Sequence, residues 1–137
     1  MFTYVCLGTN DIPRAVGFYD PVMAALGHSR CDAGGEPGWE TCVGWGTYED
    51  EGRRELALWL TSPFDGQAAT GGNGTMVALA ASSWEQVQDF HRAALAHGGR
   101  CEGQPGLRPH YAADFYAAYV RDPDGNKLAA VCRGRVQ

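Results

Sequence analysis

Residues Thr3, Val5, Leu7, Phe18 and Gly27 recur 72 positions later as Thr75, Val77, Leu79, Phe90 and Gly99, and each set has a polar helix start, Asn10/Asp11 and then Ser82/Ser83. A period near half of the 137 residues means two copies of one supersecondary unit rather than a solenoid, which stacks at least about three shorter repeats. Two half-domains related by pseudo-symmetry build one shared cleft, so the chemistry is expected where the copies face each other.

The first copy opens with a strand over 2–8, whose residues alternate between faces as Tyr4/Cys6/Gly8 and Thr3/Val5/Leu7. A helix follows: Asn10 or Asp11 caps it, Pro13 suits its first turn, and Ile12, Val16, Tyr19, Met23 and Leu26 share a face until Gly27 stops it. Strands are predicted near 28–32, 40–45 and 54–61, separated by the turn segments 33–38 and 46–52. The Gly, Ala and Ser-rich stretch 62–73 is the link. The second copy reads as strand 74–81, helix 83–97 and strands near 100–104, 114–121 and 127–133, the last two joined by Asp122-Pro123-Asp124-Gly125-Asn126. Its longest irregular stretch, 102–113, has the length at which loops inside compact domains carry function.

Composition excludes several classes. A net charge of −5 with no Lys/Arg stripe argues against nucleic acid. No apolar run approaches the ~18 residues of a membrane span, and no charged start leads into an apolar signal region, so neither a membrane span nor secretion is expected. Five cysteines with no CxxC pair leave one unpaired in any disulfide scheme, so a reducing cytoplasm is the expected setting.

Two βαβββ units, the Phe18-Tyr19 and Leu26-Gly27 pairs closing the first helix, and the run Val120 to Lys127 through Asp-Pro-Asp-Gly together resemble the vicinal oxygen chelate superfamily, which includes glyoxalase I, bleomycin-resistance proteins and extradiol dioxygenases. The resemblance covers the whole chain as one domain, with modules at about 1–61 and 74–137. It implies an α+β fold in which the modules form a half-open, cup-shaped mixed sheet with the ligand on the concave face. It also implies a homodimer.

Metal-dependent members take one His, Glu or Gln ligand from the first and last strand of each module. In this sequence the resemblance puts those positions on Tyr4, Met76, Ala57 and Ala129. Tyr serves hard trivalent iron in special sites, Met is soft and Ala offers no donor, so neither metal nor other cofactor is expected. Together with neighbours on the same strand faces, these positions instead suggest an apolar ligand wall that includes Tyr4, Ala57, Trp59, Met76 and Ala129. The bland alternative is that this cleft is filled as core.

Polar specificity is then sought in the long loop, where Pro109 holds Arg108 extended and aims His110 and Tyr111. Arg108 suits an anion, His110 exchanges a proton near neutral pH, and Tyr111 stacks or donates a hydrogen bond. His28, His91 and His97 read as packed or surface groups, Trp39, Trp45, Trp59 and Trp84 as anchors or core, and Glu49-Asp50-Glu51 as a solvated hairpin tip. A reactive thiol would be sought at Cys6 or Cys42.

Three readings follow. The first is a metal-free protein binding a small organic molecule, either sequestering it or acting through Tyr4 and His110. The second is a metal-dependent lyase, isomerase or dioxygenase with an atypical ligand set, such as Glu55, His110 and a residue from a paired subunit. The third is an interaction module whose cleft is closed.

Overall fold

The computed structural model describes residues 1–31 and 41–134, and Trp39 and the whole turn segment 33–38 lie outside them. The first module comprises β1 (Tyr4–Gly8), α1 (Ile12–Ala25), β2 (Cys42–Glu49) and β3 (Arg54–Thr61). The second comprises β4 (Val77–Ala80), α2 (Trp84–Ala96), β5 (Arg100–Leu107), β6 (Tyr116–Arg121) and β7 (Lys127–Cys132). Both helices begin and end as their sequences direct. Asp11 accepts a hydrogen bond from the Arg14 amide and Ser83 from the Gln86 amide, satisfying amides that have no partner inside the helix. At the other end Gly27 and Gly98 take positive φ, and the next amides, of His28 and Gly99, bond back to the carbonyls of Met23 and Ala94.

The strands form two open mixed sheets, ordered β1-β3-β2 and β4-β7-β6-β5, with β1 parallel to β3 and β4 parallel to β7. The α+β class and the repeated plan are thus present, and the mixed sheet is divided in two, with β1 and β4 each ending a sheet. The strand predicted over 28–32 is reduced to one bridge, Arg30 to Trp45. Beside that bridge Gly46 turns the β2 backbone to φ 120°, and Asp20 draws the Arg30 side chain away at 2.6 Å. The β2 strand runs on to Glu49, so the hairpin tip is the short 3-10 turn Asp50–Gly52.

The core lies between the helices and one face of each sheet. Phe18, Tyr19, Val22 and Met23 of α1 join Trp45, Leu58 and Leu60, while Val87, Phe90 and Ala94 of α2 join Ala118, Val120, Leu128 and Ala130. Trp45 is core as one of its two readings held, its ring 5.3 Å from Tyr19 and its indole N–H bonded to Asp20. Trp84 stacks on Tyr116 at 4.1 Å.

The Asp-Pro-Asp-Gly segment does more than turn the chain. Asp122, 4% exposed, accepts the Tyr19 hydroxyl at 2.6 Å, the amides of Asp124 and Asn126 at 2.9 Å, and the Asn126 side-chain amide at 2.9 Å. Asn126 also donates to the Gly8 carbonyl, and Asp124 takes the Thr9 hydroxyl, the Asn10 amide and Arg14. The last hairpin of module two is therefore tied to the strand–helix junction of module one.

Candidate functional site

The face of the second sheet away from the helices carries a half-open cavity of about 680 Å³. Its floor is Tyr119 of β6 and Lys127 of β7, with Met76 at one side and Glu102 and Gly103 of β5 at the other. Arg108, His110, Tyr111 and Phe115, from the turn after β5, form the rim together with Arg133. The turn is compact: the Arg108 amide bonds to the Phe115 carbonyl at 2.7 Å and the Tyr111 amide to the Arg108 carbonyl at 2.9 Å.

Glycine at 103 lets the Tyr119 ring lie across β5, since a Cβ there would come within 2.8 Å of the ring. Arg108 donates to the carbonyls of Gly106 and Gln104 and holds its guanidinium 5.4 Å from the Tyr119 centroid, with the Lys127 ammonium 5.6 Å from the same centroid. Glu102 is hydrogen-bonded to Arg121 at 2.8 Å, which holds its carboxyl below the usual range, with Lys127 and Arg100 adding to the pull. Burial, then the neighbouring Tyr111, push the Tyr119 phenol up against the opposing charge of Arg108, so it is a hydrogen-bond donor at neutral pH. His110, Tyr111 and Phe115 form a run of rings with centroids 4.2 and 5.1 Å apart.

A second, apolar crevice of about 460 Å³ runs beside the β1 and β4 edges, lined by Phe2, Tyr4, Met23, Leu56, Ala57 and Met76 among others. The residues singled out from sequence therefore separate. Arg108, His110 and Tyr111 meet Met76 in the cavity, while Tyr4 meets Met76 in the crevice; Met76 lines both. Ala129 is 0% exposed and Trp59 4%, and neither lines the cavity or the crevice. The Trp59 ring lies over Gly44, bonds to Glu55 at 2.7 Å and meets Tyr48 edge-on.

The register corrects one position. Cys6 faces Trp59 across β1 and β3, and Ala78, 72 positions after Cys6, faces Ala129, which is 70 positions after Trp59. The counterpart of Ala129 is Trp59, not Ala57, because the second copy is two residues shorter between these strands, one of them in the helix, where α2 has 13 residues and α1 has 14. The positions at which the superfamily places ligands thus hold Tyr4, Trp59, Met76 and Ala129. No group of three His, Cys, Asp or Glu able to hold a metal occurs among the described residues, so the donor set does not fit that metal.

His91 is buried with Nε2 3.2 Å from the Cys101 sulfur, and burial lowers its pKa. Burial raises the thiols of Cys6 and Cys42, which opposes thiolate formation. Sequence reasoning passed over Tyr119, Phe115, Lys127, Glu102 and Arg133. Strand alternation carried a signal for two of them: Lys127 shares a face with Ala129, and Tyr119 stands opposite Ala129.

A βαββ module followed by a βαβββ module, each closing its parallel strands beside a capped helix, defines the fold class. The chain belongs to the Glyoxalase/Bleomycin resistance protein/Dioxygenase superfamily, whose model matches residues 2–130. A glyoxalase/bleomycin resistance protein from Albidiferax ferrireducens T118 is 36% identical, with a TM-score of 0.79 over 98% of this chain and 99% of that one. A glyoxalase/bleomycin resistance protein/dioxygenase family enzyme from Burkholderia phytofirmans PsJN is 18% identical, with a TM-score of 0.69 over 96% and 98%. Glyoxalase I from Zea mays is 24% identical, with a TM-score of 0.67 over 95% of this chain and 45% of that one. Comparison with functionally curated proteins found no match. Among the described residues no helix is long and apolar enough to cross a membrane.

Proposed function

We propose that the chain binds a small organic molecule in the cavity over the second sheet and does so without the superfamily's metal. The observation that carries this is the convergence of Arg108, His110 and Tyr111 on a half-open cavity also walled by Tyr119 and Phe115, beside ligand positions that offer no suitable donors. A cavity with a broad aromatic wall and a few placed polar groups is the general form of a small-molecule site. His110 supplies an imidazole at its rim, and Tyr111 and Tyr119 supply hydroxyls; Tyr4 lies in the other crevice, so the reading favours binding over acid/base chemistry shared between Tyr4 and His110.

Protein purified without chelator is expected to carry no stoichiometric divalent metal by elemental analysis. One zinc, nickel, iron or manganese held per chain overturns the metal-free part. In a thermal-shift screen of small aromatic and carbonyl compounds, bound compounds should raise the melting temperature. Tyr111→Ala and His110→Ala should weaken those hits while leaving the unliganded melting temperature within about 2 °C, because both side chains are exposed. Hits indifferent to both changes place the site elsewhere.

The chain is also proposed to form a homodimer in the cytoplasm. β1 and β4 leave open sheet edges, and Phe2, Tyr4, Leu56 and Met76 expose apolar surface around the crevice between them. A second copy covering this surface predicts a light-scattering mass near twice 14.7 kDa at micromolar concentration. A mass of one chain refutes it.

A further inference from the structure

The charge of the cavity is at odds with that of the chain. Three cations, Arg108, Lys127 and Arg133, and one carboxylate, Glu102, line it, in a protein of net charge −5. Two of the four are already matched: Glu102 pairs with Arg121 at 2.8 Å and Arg133 with Asp114 at 3.0 Å. Arg108 and Lys127 are not paired at contact distance, although Lys127 also pulls on the Glu102 carboxylate. Among the described residues neither has a carboxylate within 4.0 Å, although they flank the same ring of Tyr119. Two half-buried cations beside one phenol repel each other, and an anion placed between them relieves that repulsion. Arg108 is held for such a role, because two backbone carbonyls fix its guanidinium and leave other N–H groups to donate.

A small inorganic ion would leave most of the cavity of about 680 Å³ unfilled. The rings of Tyr111 and Phe115, 5.1 Å apart, offer flat apolar surface on its rim. Resting on the pocket reading above, we propose that the ligand is an aromatic carboxylate, its anionic end bridging Lys127 and Arg108 and its ring lying against Tyr111 and Phe115.

Isothermal titration of the full chain with naphthalene-2-carboxylate, its neutral carboxamide and acetate tests this. The carboxylate should bind about tenfold more tightly than the carboxamide, consistent with a hydrogen bond to a charged group, and acetate should give no measurable heat. Lys127→Met, which keeps the length of the side chain, should reduce carboxylate affinity about tenfold and leave carboxamide affinity unchanged. Equal binding of the two naphthalene probes by the unmodified protein overturns the anionic part without any variant. Equal loss of both probes in Lys127→Met assigns Lys127 a packing role and overturns its pairing with the ligand. Acetate binding as tightly as the naphthalene carboxylate overturns the aromatic part. If neither naphthalene probe binds, the pocket reading itself fails.

Discussion

Asp122→Ala should lower the unfolding free energy by about 3–5 kcal/mol and the melting temperature by roughly 10–15 °C, the loss expected when a buried, multiply bonded carboxylate is removed from a chain of this size. Four donors converge on this one carboxylate, the Tyr19 hydroxyl, two backbone amides and the Asn126 side chain, and all of these bonds but that of the half-buried Asp124 amide are buried. Tyr19 is fully buried, and burial together with the Asp122 charge raises its pKa well above the usual phenol value, so the hydroxyl remains a donor. Truncating the acceptor strands these donors in the interior and frees Asn126, which also ties down the Gly8 carbonyl. Tyr19→Phe removes one donor and leaves Asp122 three others, so it should cost less, about 1–2 kcal/mol. Thermal unfolding followed by circular dichroism reads both. A loss below about 1 kcal/mol for Asp122→Ala would show that the segment is a surface turn and not the joint between modules.

That joint marks where sequence reasoning stopped short. Asp-Pro-Asp-Gly was legible as a turn because Pro and Gly act on their own backbone angles, but the partner that makes it a joint, Tyr19, lies 103 positions away. Strand–helix order, both helix starts and Gly27 were legible for the same reason: each depends on neighbours within a few residues. The β5 strand was harder to see. Gly103, Pro105 and Gly106 look like a loop, yet β5 is an edge strand with two register shifts, where such residues are tolerated. So half of the expected 102–113 loop is strand, and the rim turn begins at Arg108.

The site was legible in its rim and obscure in its floor. His110, Tyr111 and Arg108 stand together in a short Pro-containing segment, so their proximity follows from the chain. Tyr119 and Lys127 meet only through the pairing of β6 with β7, where Tyr119 stands opposite Ala129. Trp59 and Ala129, expected in a ligand wall, border neither the cavity nor the crevice. The Trp59 indole lies across the strand onto Gly44, where a Cβ would come within 2.3 Å of it, so it packs on the first sheet's own surface. The uniform offset of 72 likewise assumed that the second copy kept its length, and a helix shorter by one residue begins the drift that moves Ala57 out of the position given to it.

A second large effect is expected at Gly99, where α2 ends against α1 and β6. A Cβ there would sit 2.7 Å from the Phe18 ring, 2.8 Å from the Arg121 carbonyl oxygen and 2.9 Å from the Ala94 carbonyl oxygen. A side chain can rotate away, but two of these three atoms are backbone, and Ala94 also accepts the Gly99 amide at 2.8 Å to close the helix. Gly99→Ala must therefore either push α2 from β6 or open that cap while displacing Phe18 from the centre of the core. Overpacking of this kind costs about 2–3 kcal/mol. Gly17 supplies the opposite sign from the same substitution. It lies inside α1 with nothing within 4 Å of its would-be Cβ, so Gly17→Ala should stabilise by about 0.5–1 kcal/mol through helix propensity. Chemical denaturation of the two variants under identical conditions separates the effects, since both make the same chemical change. If Gly99→Ala matches or exceeds the parent in stability, the close approach of the two helices and β6 at this point is wrong, and the modules meet more loosely than their contacts describe.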